Sequence, residues 1–117
     1  MAPTPFAYDS FIFEWPAAMR RLMALDASVV VPGHGPVMRD WAYARLVTEL
    51  LETVGAQVRS AVGRGLTLEA ARASVDVAGL RARFAGSDPI LVRNFDQFFL
   101  APAIEAAFKD AQRQPAK

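Results

Sequence analysis

The sequence predicts a mainly α-helical chain with one short β-strand. Apolar residues recur at spacings of three and four over most of its length, and glycines and prolines fall between those stretches. A single β-branched run, Val29-Val30-Val31, interrupts the helical pattern. With 117 residues there is room for one domain, burying about two-thirds of the surface of the unfolded chain. A hydrophobic content of 53% against 21% charged residues is too high for a disordered tail.

Residues 1–15 read as an extended N-terminal arm, with Pro3 and Pro5 and no periodic pattern, whose Phe6 and Tyr8 can dock on a partner surface. Residues 16–114 read as a single helical domain. Pro16 suits a first helical position, and Met19, Leu22, Met23 and Leu25 give an apolar stripe, so a helix is placed at Pro16–Leu25. The strand Val29–Val31 has the look of a fully buried strand of the parallel type, and it needs a neighbour to satisfy its backbone. Pro32-Gly33-His34-Gly35-Pro36 is a loop, since two prolines and two glycines exclude both kinds of ladder.

A long helix follows from about Arg39. Trp41, Leu46, Leu50, Val54, Val58 and Val62 mark its apolar face, Asp40 sits favourably near its positive end, and Gly63-Arg64-Gly65 closes it. Thr67 caps a short helix through Ser74, a weaker helix spans Gly79–Phe84, and Pro89 opens another with Ser87 or Asp88 as cap. Pro102 kinks or restarts that helix, which continues over Ala103–Gln112, and residues 115–117 form a frayed tail.

Composition removes several function classes. Thirteen basic against twelve acidic residues give a net charge of +1, which argues against a nucleic-acid binder. Without cysteine there is no disulfide framework and no thiolate nucleophile. The N-terminus lacks the basic and apolar regions of a secretory signal, and charged residues interrupt every apolar stretch, so a cytoplasmic chain with no membrane span is expected. No serine has a nucleophile-elbow context, neither Tyr8 nor Tyr43 is singled out by spacing, and Gly63-x-Gly65 follows a helix, so it is a C-cap. Arg59, Arg64, Arg72, Arg81 and Arg83 form a modestly basic middle whose preferred reading is a solvated helix face.

One stretch carries chemistry. Val29-Val30-Val31-Pro32-Gly33-His34-Gly35-Pro36-Val37 delivers the only histidine, flanked by glycines, at the carboxyl end of the strand, where α/β proteins often place ligands and metals. The bland alternative is a turn histidine bonded to nearby backbone.

Together with Trp15, Leu22, Leu25-Asp26, the later Gly65-Leu66-Thr67-Leu68-Glu69-Ala70-Ala71, Val75-Asp76-Val77, and the closing helices around Asn94 and Phe98, this motif resembles the C-terminal part of metallo-β-lactamase-fold hydrolases. The resemblance covers most of the chain from about Trp15. It implies an αβ/βα sandwich with one or two zinc or iron ions, and it assigns His34 to the final histidine ligand. The His-x-His-x-Asp-His loop of that family does not occur here. The resemblance therefore implies a helical segment rearranged by oligomerisation.

A catalytic zinc takes about three protein ligands and one water. This chain offers His34 and, nearest in sequence, the carboxylates of Asp40, Glu14 and Asp26. Asp40 is the candidate second metal ligand or base, its alternative role being helix-dipole stabilisation. A symmetric dimer doubles the set, so a homodimer or higher oligomer is expected, with zinc, manganese or iron as cofactor and a small ester or phosphodiester substrate. Two other readings stand beside this one: a non-catalytic helical module that self-associates, and one half of a split hydrolase. The aromatics Phe11, Phe13, Trp15, Trp41, Phe95, Phe98 and Phe99 either fill a core or drive that association.

Overall fold

A computed structural model describes residues 2–33 and 35–113. Of the described residues, 64% are helical. Among the described residues six α-helices follow one another: α1 (Trp15–Met23), α2 (Ala42–Gly63), α3 (Leu68–Ser74), α4 (Ala78–Ala85), α5 (Pro89–Asn94) and α6 (Ala101–Arg113). A π-helical segment, Phe95–Leu100, joins α5 to α6. Among the described residues, β-pairing is limited to an isolated antiparallel bridge between Val30 and Met38.

Helix α2 is the spine, packed against α1, α3 and α6. Its Leu50, Leu51, Val54 and Val58 are fully buried at the three-and-four spacing that a single helix face requires. It ends in a Schellman motif: Leu66 N–H donates to Ala61 O at 3.0 Å and Gly65 N–H to Val62 O at 2.9 Å, with Gly65 at φ +75°. The same glycine was expected from sequence to close the helix. The helix begins at Ala42, three residues later than its sequence pattern suggests, and Trp41 is the half-buried residue just before it.

The smaller helices start where their caps sit. Thr67 Oγ1 accepts from Ala70 N–H at 3.1 Å, and Asp88 Oδ1 accepts from Ile90 and Leu91 N–H at 2.8 and 3.3 Å. Gln57 on α2 holds the linker between α3 and α4 from both sides, its Nε2 donating to Asp76 O at 2.9 Å and its Oε1 accepting from Asp76 N–H at 2.7 Å. Phe84, Phe95 and Phe99 form a fully buried aromatic series with ring centroids 5.7 and 5.3 Å apart.

Pro102 does not end the last helix. The chain widens into the π-helical segment ahead of it, where Ala101 N–H donates to Asp96 O, five residues back, and α6 then continues through the proline. Pro102 has no N–H, so neither Phe98 O, four residues back, nor Gln97 O, five back, receives a bond from that position. The N-terminal arm supplies both: Ala7 N–H donates to Phe98 O at 3.1 Å, and Tyr8 Oη to Gln97 O at 3.2 Å. Phe6 stacks on Phe98 with centroids 5.2 Å apart. The arm thus docks on its own chain. Asp9, at φ +52°, then reverses its direction, and Ala7 and Ile12 are buried in the common core.

The strand expected at Val29–Val31 as a fully buried element is corrected by the structure. Val29 and Val31 are 41% and 75% exposed, while Val30 is half-buried. The reason is local: Met38, a few residues on, pairs with Val30, so no neighbouring strand is required and the flanking valines turn outward.

Candidate functional site

The glycine-flanked loop is built by one bridge and one prop. Val30 N–H donates to Met38 O at 2.8 Å, and Met38 N–H to Val30 O at 2.9 Å, closing the segment at its neck. Gly35 adopts φ +99°, and a Cβ built there would lie 3.4 Å from Pro3 Cγ, so the arm packs against the loop at this point. Pro3 O in turn accepts from Tyr43 Oη at 2.7 Å, which ties the arm to the first turn of α2. Burial holds the Tyr43 phenol above the ordinary tyrosine range. Val31 and Val37 are exposed on either side of the loop.

His34, the leading candidate for metal binding and catalysis, lies outside the described residues. Asp40, its proposed companion, is exposed at the start of α2, where Oδ1 accepts from Ala42 N–H at 2.9 Å. The carboxylate therefore serves the first turn of the helix, the alternative role weighed for it from sequence. Glu14 and Asp26 are exposed at opposite ends of α1. Among the described residues no three His, Cys, Asp or Glu side chains gather as a metal-binding group. The described carboxylates thus do not complete a coordination shell of the three-ligand kind that a zinc hydrolase uses.

Three arginines of the basic middle pair with carboxylates on the surface, Arg59 lies over an aromatic ring, and Arg64, among the described residues, reaches only the Ser60 carbonyl of its own helix. Arg81 Nη1 reaches Asp96 at 3.2 Å, Arg83 reaches Glu49 at 3.3 Å, Arg72 reaches Glu105 at 3.5 Å, and the Arg59 guanidinium lies 3.8 Å from the centroid of the Phe13 ring. Arg20 pairs with Glu52 across the α1–α2 contact. This agrees with the solvated-face reading of these arginines.

Sequence reasoning missed two positioning groups. Tyr43 and Pro3 together hold the arm beneath the loop, a contact between residues 40 positions apart that no local pattern encodes. Gln57 is the other, since a polar residue on a long helix gives no sign that it will grip a distant linker. No protein family, no curated protein and no solved structure matches this chain.

Proposed function

We propose that this chain is the histidine-loop segment of a metallo-β-lactamase-like, metal-dependent hydrolase that acts on ester or phosphodiester bonds within an assembly. His34 is the metal ligand this chain brings, and zinc, manganese or iron is the cofactor class. A second copy or another partner surface completes the coordination shell, since among the described residues no three His, Cys, Asp or Glu side chains gather.

The observation that carries the reading is the Val30–Met38 bridge. It joins Val30 to Met38 at a two-hydrogen-bond neck, with Gly35 at φ +99° and Val31 and Val37 exposed. A ligand loop shared with another surface needs this kind of presentation: a fixed base, small residues beside the donor, and apolar neighbours that a partner can cover.

Titration of the purified full chain with Zn2+ tests the assignment, alongside hydrolysis of bis(4-nitrophenyl) phosphate in Zn2+ or Mn2+. His34→Ala is expected to abolish specific metal binding and any metal-dependent hydrolysis. Equal Zn2+ affinity in the wild-type chain and in His34→Ala would overturn the proposal.

A further inference from the structure

Helix α1 carries two apolar lines. Ile12 and Pro16 are buried on one of them, with Met19 packed on the core. The other, Phe11, Trp15, Ala18 and Leu22, lies about 100° around the helix axis. The turn before α1 keeps helical spacing, because Trp15 N–H donates to Phe11 O at 2.9 Å, so Phe11 belongs to the same line. Phe11 is 63% exposed and Leu22 49%. Trp15 is half-buried, partly packed on the core like Met19, and with Phe6, Phe11, Ala18 and Arg21 lines an open groove of about 350 Å3. Leu25, the next step of the line, is 60% exposed.

Steps of four, three, four and three residues along this line are the spacing of a coiled-coil seam. Glu14 and Arg21 precede the seam residues Trp15 and Leu22 by one position, so both flank the seam on the same side, seven residues apart. Both are exposed, and among the described residues neither forms an ion pair with another side chain.

We infer that α1 pairs with α1 of a second copy of this chain in antiparallel fashion about a two-fold axis near the middle of the helix. Charge decides both occupant and direction. Antiparallel pairing brings Glu14 alongside Arg21 of the second copy, twice by symmetry, whereas in a parallel pair these same-side positions lie on opposite flanks of the seam and make no such contact. Side-chain size fits the same register: Trp15 lies over Ala18 of the second copy, and Phe11 over its Leu22. The surface is therefore complementary to itself, as an isologous interface requires. This inference does not rest on metal chemistry at His34.

Sedimentation equilibrium of the full chain at micromolar concentrations is expected to show a monomer–dimer equilibrium. Ala18→Glu, which brings like charges together near the axis, weakens association by about tenfold or more with unchanged helical circular dichroism. Glu14→Arg and Arg21→Glu each weaken it by about two- to fivefold, and the double variant restores it. These two exposed positions keep the test available should Ala18→Glu fail to fold. A chain that stays monomeric, a dimer indifferent to Ala18→Glu, or a double variant weaker than either single one would overturn the inference, as would a monomer that binds only a different polypeptide through this face.

Discussion

The Ala7 amide donates to the Phe98 carbonyl, to which Pro102, four residues on, can offer no N–H. Ala7→Pro removes this donor and strands a carbonyl beside a fully buried residue, at a cost of about 1–3 kcal/mol. In a Pro102→Ala background the helix supplies its own N–H, and the same substitution is expected to cost less. Urea denaturation of the four members of this cycle measures the coupling; additive effects would disprove it.

The aromatic series sets the size of the core penalty. Phe95 is fully buried between Phe84 and Phe99, so Phe95→Ala leaves a cavity that neither neighbour can fill without leaving its own packing. A loss of about 3–5 kcal/mol is expected, a large part of the stability of a chain this size. Phe11→Ala, at an exposed position, is expected to change monomer stability by less than about 0.5 kcal/mol in the same measurement.

Asp40 separates capping from metal binding. Asp40→Ala is expected to cost about 1 kcal/mol through the lost Ala42 contact, and Asp40→Asn to keep most of it, since an amide oxygen accepts the same bond. Neither variant is expected to alter Zn2+ affinity. A marked fall in Zn2+ affinity with Asp40→Asn, at unchanged stability, would make this carboxylate a ligand after all.

Alkaline pH acts through Tyr43. The folded state raises the phenol's pKa, so it binds this proton more tightly than the unfolded chain does. The resulting stability is complete below the ordinary tyrosine value of about 10 and is lost as pH climbs through the higher folded value. Ionisation also removes the donor to Pro3 O. Tyr43→Phe is expected to lose that bond at neutral pH and to flatten the alkaline limb in thermal melts taken between about pH 8 and 11.

Much of the helical framework was legible because its signals are local. Thr67 and Asp88 cap their helices as side-chain chemistry dictates, and Gly65 closes α2 through a positive φ that β-carbon sterics deny to most residues. The exposed valines were misjudged because the run of three carries the signature of burial, while its actual environment is set by Met38. The arm's docking site was invisible for a related reason. It exists only where Pro102 and the π-helical widening bare two carbonyls, a consequence of folding far from Ala7 and Tyr8 in sequence. The candidate site was legible as a motif and Asp40 as a residue of the helix start, while the Pro3–Tyr43 prop joins residues 40 positions apart and leaves no local signal.

The narrow neck at Val30 and Met38 divides the molecule into two thermodynamic territories. A segment fastened by two mutual amides and a proline contact can be rewritten between its ends with little effect on whether α2 and its neighbours assemble. Substitutions at Val31 and Val37 are therefore expected to leave the stability of the α2 core nearly unchanged.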